Sequence, residues 1–240
     1  MTTLVGILAM KNTPAVVLAS DLTATLTEWE NRGDVTVRQQ TKTEVKKIHI
    51  DNERNLALCM AGSYDPWYIE FLLNVQEGKI DFKEAMKSEN FPALSDLNLK
   101  KMGGKKYDYE KQNLLLVASR YENSPRLWTC YPLGRVEERS WTVLGSGEKH
   151  ASAYIQSKGY LPPRQIDLGT ALDLAYGALK SASQDIYTGG WDVTVITPYD
   201  IIEYGDKIKK DIQRCEQQTL KEIIENSMTR LPFSRDREPG

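Results

Sequence analysis

Met1-Thr2-Thr3-Leu4-Val5-Gly6-Ile7-Leu8-Ala9-Met10 opens the chain, and Ala15-Val16-Val17-Leu18-Ala19-Ser20-Asp21 follows after Lys11-Asn12-Thr13-Pro14. Two short apolar runs joined by turn chemistry read as an antiparallel hairpin. Thr2 follows Met1 directly, and an initiator methionine is trimmed efficiently only when the next side chain is small, as threonine is. Trimming would expose a threonine with a free α-amine and a hydroxyl on adjacent carbons, a self-contained base and nucleophile. The amine titrates near about pH 8, so a useful fraction is neutral at about pH 7 and can take the hydroxyl proton, directly or through a water. No signal peptide or leader stands between Met1 and the apolar run, so the terminus is expected to be built into the first strand. By itself Met-Thr-Thr is also an ordinary start to a strand, and the rest of the chain must decide.

The 240 residues suffice for one large domain or two small ones with a sizeable core. Apolar residues make up 40% and charged residues 27%, the balance of a soluble globular protein. With 31 basic and 33 acidic residues, a net charge of −2 gives no electrostatic reason to expect nucleic acid or a membrane surface as partner. No apolar run approaches the ~18 residues of a transmembrane helix. Cys59, Cys130 and Cys215 are odd in number and far apart, which fits reduced thiols and a cytoplasmic location.

Several chemistries fall away. His49, His150 and three scattered cysteines offer no metal-ligand spacing. Gly103-Gly104-Lys105-Lys106 lacks the glycine-to-Lys-Ser/Thr spacing of a P-loop and reads as a basic surface loop. Leu144-Gly145-Ser146-Gly147 has leucine where a nucleophile elbow needs its first glycine.

Beyond the first hairpin, a polar stretch from Thr23 to Thr43 with Arg32-Gly33-Asp34 at its centre leads to Val45-Lys46-Lys47-Ile48-His49-Ile50-Asp51. That segment and the nearly continuous apolar run Asn55–Gly62 read as a second hairpin, the latter strand buried on both faces. Asp65-Pro66 opens a helix with Trp67, Phe71, Leu72 and Val75 at helical spacing, and Lys79–Lys87 reads as another short helix. Glu89–Glu110 is a polar surface excursion. Strands resume at Asn113–Ala118, Arg126–Tyr131 and Ser140–Leu144, followed by helices over Glu148–Lys158 and from Asp167, whose side chain is placed as a cap. Trp191–Thr197 is a strand, and Ile208, Ile212, Cys215, Thr219 and Ile223 mark a C-terminal amphipathic helix before a loose tail. Strands clustered in hairpins with helices between the clusters imply an α+β fold, a four-layer αββα sandwich of two antiparallel sheets flanked by helices. Residues 1–204 are expected to form this unit, with 205–240 a C-terminal helix and tail.

Six short motifs then fall in one order: Thr-Thr-x-Val-Gly from Thr2, Ala-Ser-Asp ending at Asp21, Lys-Lys-Ile-His-Ile-Asp from Lys46, Ala61-Gly62, Gly145-Ser146-Gly147, and Asp185-x-x-Thr-Gly-Gly before x-Asp-Val-x-Val-Ile. In this the chain resembles the β-type subunits of the 20S proteasome and the related bacterial ring proteases, within the N-terminal-nucleophile (Ntn) hydrolases. The likeness runs from Thr2 to about Thr197, with a poor match near Glu89–Glu110.

The resemblance implies an Ntn-hydrolase fold with Thr2 as nucleophile and Asp21 and Lys47 as its buried acid and lysine; Lys46 is the alternative, because a one-residue slip swaps strand faces. A lysine ammonium near the threonine would favour the alkoxide-like hydroxyl and disfavour protonation of the amine. Gly62 matches the residue whose N–H faces the oxyanion, and Ser146, Asp185 and Thr188 match the groups around the threonine amine. Ala24, Val45, His49, Met60 and Tyr64 match the pocket for the residue before the cleaved bond, small or apolar and without an acid. Departures from the pattern are Thr188 for a serine, Leu4 for a third threonine, and Thr23 where basic residues are common.

The implied function is an N-terminal threonine endopeptidase acting on peptide or unfolded protein inside homo-oligomeric stacked rings of six- or seven-fold symmetry. No metal or organic cofactor is needed, and an ATPase or activator ring is the natural further partner. Two other readings stay open. One is a catalytically silent ring or scaffold subunit, although such subunits usually lack the threonine or the lysine. The other is an Ntn amidohydrolase or transpeptidase that passes the acyl group to an amine.

Overall fold

Every residue of Thr3–Ala9 except Leu8 is buried, and so is every residue of Ala15–Ser20. Strands this apolar need cover on both faces, and they are the centre of the molecule. A computed structural model describes residues 2–32, 35–52, 55–61, 114–121, 123–131, 136–159, 161–183 and 190–204. In chain order its strands are β1 (Thr3–Ala9), β2 (Ala15–Ser20), β3 (Thr23–Arg32), β4 (Val35–Glu44), β5 (His49–Asp51) and β6 (Leu56–Ala61). Then come β7 (Leu114–Tyr121), β8 (Ser124–Cys130), β9 (Val136–Glu138), β10 (Trp141–Gly145), helices α1 (Glu148–Ser157) and α2 (Leu168–Ala182), β11 (Asp192–Ile196) and β12 (Ile201–Glu203).

Two antiparallel five-stranded sheets result, ordered β10-β1-β2-β11-β12 and β5-β6-β7-β8-β9. One face of the first sheet carries Val5, Ile7, Val17, Ala19, Val193 and Val195 against α1 and α2, where Ala171, Leu172, Ala175 and Leu179 form the apolar stripe. Its other face carries Leu4, Val16, Leu18 and Ile196 against Ala57, Cys59, Leu116 and Leu127 of the second sheet. Gly6 permits this approach, since a Cβ there would meet Leu127 Cδ1 at 2.8 Å. The Asp167 carboxylate caps α2, with Oδ1 accepting from Thr170 N at 2.8 Å. The α+β sandwich expected from the element order is the observed architecture.

Three local expectations need correction. The polar stretch from Thr23 to Thr43 is a ten-pair antiparallel ribbon, Thr23 opposite Glu44 through Arg32 opposite Val35, forming a two-stranded sheet of its own. Alternating threonines and valines give it strand propensity without the apolar run that marks a core strand. The lysines expected on a strand precede it, because β5 starts only at His49. The three-residue strands β9 and β12, at the outer ends of the two sheets, were not expected at all. The helices read at 65–75 and 79–87, the surface excursion and the C-terminal helix lie outside the described residues.

Candidate active site

Asp21 follows directly on β2 and is fully buried beside the start of β1. The two segments lock reciprocally: Asp21 N donates to Thr3 O at 3.1 Å, and Thr3 N donates to Asp21 Oδ1 at 2.6 Å. The other carboxylate oxygen, Oδ2, accepts from Lys47 Nζ at 2.8 Å and from Thr23 N at 3.1 Å. Lys47 donates as well to Thr23 O at 2.6 Å. The side chains of this ion pair are 8% exposed for Lys47 and fully buried for Asp21. Lys46 takes the opposite course, outward to Glu203 on β12, in a pair about half exposed at each end. The adjacent lysines thus part company in an irregular segment, and Lys47 is the one that joins the acid.

Burial governs the electrostatics. It pushes the Asp21 carboxyl above its ordinary value, against the opposing effects of Lys47 and the Thr3 and Thr23 N–H groups. It pushes the Lys47 ammonium below its ordinary value, against the attraction of Asp21. The pair is therefore poised nearer to neutrality than an exposed Asp–Lys pair would be.

Thr2 is buried at the head of β1. Its carbonyl oxygen accepts from Ser146 N at 2.9 Å, just past β10. Gly145 makes that approach, with φ +102° and no room for a Cβ, which would fall onto the Thr2 carbonyl oxygen. Gly147 N donates to Thr3 Oγ1 at 3.1 Å. Thr2 and Thr3 are therefore clamped between the Gly145-Ser146-Gly147 turn on one side and the Asp21–Lys47 pair on the other. The Ser146 residue itself is exposed, and Gly147 is the residue that caps α1, without a side-chain hydrogen bond.

The model of the Proteasome subunit family matches residues 3–197. The chain belongs to the proteasome subunit family. No match was found among curated proteins. Membership in the proteasome family implies the Ntn-hydrolase fold and a ring-forming subunit, and that family holds both active and inactive members.

In this proteasome-type subunit the structure brings Thr2, Asp21, Lys47 and the Ser146 backbone into one corner. Gly62, Tyr64, Asp185 and Thr188 lie outside the described residues. Of the pocket positions, His49 stands opposite Leu58 and Met60 is two residues further along β6. Strand alternation puts His49 and Met60 on the face of the second sheet turned away from Ala57, Cys59 and Ala61, which fill the inter-sheet core. Val45 is exposed, and its N donates to Leu22 O at 2.7 Å, closing the base of the β3–β4 ribbon. Ala24 pairs with Thr43 on β3, with its side chain outside the described set.

Sequence reasoning passed over Thr3 and Thr23 as site residues, because both act largely through backbone atoms that a side-chain motif does not reveal. The glycine at position 145, where a Cβ would meet the Thr2 carbonyl oxygen, was the available sequence signal for the close approach to Thr2. No group of three or more His, Cys, Asp or Glu among the described residues could hold a metal ion. No helix among them is long and apolar enough to cross a membrane.

Proposed function

We propose that this proteasome-type subunit is an N-terminal threonine peptidase, with Thr2 as nucleophile once Met1 is removed. The observation that carries the reading is the buried pair Lys47–Asp21, bonded through Asp21 Oδ1 to the amide of the residue after Thr2. The Thr2 amine takes the hydroxyl proton as Oγ attacks the scissile carbonyl carbon. The Lys47 cation lowers the cost of the developing alkoxide and keeps the amine from being protonated, while Asp21 holds the lysine in place. The amide N–H of Gly62 supports the oxyanion. The Thr2 ammonium returns its proton to the leaving amine as the C–N bond breaks, leaving an ester on Oγ. A water, deprotonated by the same amine, hydrolyses that ester. Ser146, Asp185 and Thr188 serve the amine.

The substrate is a peptide or unfolded protein presented inside a stacked homo-oligomeric ring. An apolar or aromatic residue before the cleaved bond suits the pocket positions Ala24, Val45, His49, Met60 and Tyr64, which hold no acid. Cys59 and Cys130 are buried, and buried unoxidised thiols are in keeping with a reducing cytoplasm. Residues 1–204 form the catalytic unit and 205–240 an appended helix and tail.

Hydrolysis of fluorogenic peptides by the full assembled chain tests the reading, with Thr2→Ala beside the parent. Turnover after leucine or tyrosine that vanishes in Thr2→Ala supports it. Absence of turnover in a correctly assembled ring would assign the chain to the silent scaffold members of its family. Acyl transfer to an added amine in place of hydrolysis would make it a transpeptidase.

A further inference from the structure

The β3–β4 ribbon has ten antiparallel pairs and no third strand beside it among the described residues. A two-stranded hairpin standing alone is marginally stable in water; a third strand or a packed face is what secures one. Neither β3 nor β4 is packed along another described element. At the antiparallel rise of about 3.4 Å per residue, the ribbon is about 34 Å long. Each outer edge is thus a row of backbone N–H and C=O groups with no ladder partner among the described residues, a template for pairing with another chain. On β4, Thr41, Thr43 and Glu44 are exposed, and Val45 just beyond them is exposed too.

The charges of the two strands favour one occupant. β3 carries Glu28, Glu30 and Arg32, and β4 carries Arg38, Lys42 and Glu44, so β3 is net negative and β4 net positive. None of the six stands directly opposite another in the register; all their cross-strand partners are uncharged. Charges that only blunt an edge need no sorting by strand. Sorted by sign, the β4 edge of one copy matches the β3 edge of the next, head to tail. Repeated head-to-tail contacts generate a ring when their rotation closes, and the chain belongs to a family of ring-forming subunits. A second copy of this chain therefore fits both edges.

The root of the ribbon lies at the buried ion pair. Thr23, the first residue of β3, stands opposite Glu44, the last of β4. Thr23 N donates to Asp21 Oδ2 at 3.1 Å, and Thr23 O accepts from Lys47 Nζ at 2.6 Å. On the returning strand, Val45 N donates to Leu22 O at 2.7 Å, two residues before Lys47. Both strands are thus anchored within two residues of Asp21 or Lys47. An undocked ribbon would carry its swing into these bonds at the short end of a lever about 34 Å long. A ribbon held along its length leaves them still.

We propose that the β3–β4 ribbon is an assembly arm that docks edge to edge on a second copy of this chain, and that docking steadies the Asp21–Lys47 pair through Thr23. Only the consequence for turnover rests on the peptidase reading; the docking and the steadying do not.

Native mass spectrometry of the full chain tests the docking, beside the double variants Glu28→Lys/Glu30→Lys and Arg38→Glu/Lys42→Glu. Each double variant has two edges of one sign and is expected to associate about tenfold or more weakly than the parent. Mixing the two is expected to restore association, because each offers the sign that the other lacks. Glu28→Gln/Glu30→Gln, a milder change should the reversals fold poorly, is expected to weaken association by less. A parent that stays a lone subunit, a reversed chain that assembles as the parent does, or a mixture that stays apart overturns the docking. The rate of Lys47 acetylation, followed by peptide mass spectrometry, reads the ion pair. It is expected to rise several-fold in the separated chains and to fall again in the mixture. Equal rates in assembled and separated chains overturn the steadying role. Weakened association with faster Lys47 labelling, in a chain whose parent shows no turnover, upholds the inference while the peptidase reading fails.

Discussion

Lys47 Nζ lies 2.8 Å from Asp21 Oδ2 in a nearly dry setting, while its neighbour Lys46 reaches an exposed glutamate, Glu203. The two ion pairs are one residue apart and differ in everything that sets their energetic weight. Removing one partner of a buried pair leaves a stranded charge, which costs about 3–5 kcal/mol. An exposed pair contributes about 0–1 kcal/mol. Asp21→Ala is therefore expected to lose several kcal/mol in chemical denaturation and all peptide turnover. Lys46→Ala should stay within about 1 kcal/mol of the parent and keep its turnover. Equal losses in the two variants would contradict this assignment.

The pH dependence of turnover should be bell-shaped. The Thr2 amine must be neutral to accept the hydroxyl proton, so the rate is expected to rise on the acid side as that amine loses its proton. Lys47 must be charged, and burial lowers its pKa, so the alkaline limb falls below the ordinary lysine value of about 10.4. Steady-state kcat/KM measured against pH checks both limbs. An alkaline limb at or above the ordinary lysine value would remove Lys47 from the rate.

Gly145→Ala should act on Thr2 through its carbonyl oxygen, leaving every other side chain named in the site unchanged. The new methyl would collide with the Thr2 carbonyl oxygen at a φ of +102°, and a non-glycine residue rarely adopts that region. The expected result is a folded but poorly active or inactive subunit, with the fold followed by circular dichroism and the site by turnover. Parent-like kcat would mean that the clamp on Thr2 is dispensable.

Asp167→Ala offers a control remote from the chemistry. It removes the Asp167 Oδ1 bond to Thr170 N at the start of α2, a loss of about 1 kcal/mol. Thermal melting should record the loss while kcat stays at the parent value.

These contrasts also show why some of the structure was legible in the sequence and some was not. Continuous apolar runs such as Val16–Ala19 and Leu56–Ala61 announce themselves because both of their faces are covered. The β3–β4 segment carries no continuous apolar run, so its ten pairs read as a polar excursion in the sequence. The six ordered motifs pointed to Asp21 and Lys47, but which of two adjacent lysines turns inward depends on the irregular path before His49, which no periodicity encodes. The backbone donors and acceptors of Thr3, Thr23 and Ser146 carry no residue-type signature at all. Asp192 was quoted in a motif for its place in the sequence, and only the register opposite Ser20 gives it a neighbourhood.

The central claim is that Thr2 is a working N-terminal nucleophile, and intact mass tests it most directly. The purified protein would be weighed before and after incubation with a peptide epoxyketone, a warhead that needs a hydroxyl and an α-amine on one residue to close its ring. The account predicts a mass lacking Met1 and one stoichiometric adduct per chain, absent in Thr2→Ala. A chain that has lost Met1 yet takes up no adduct would contradict it.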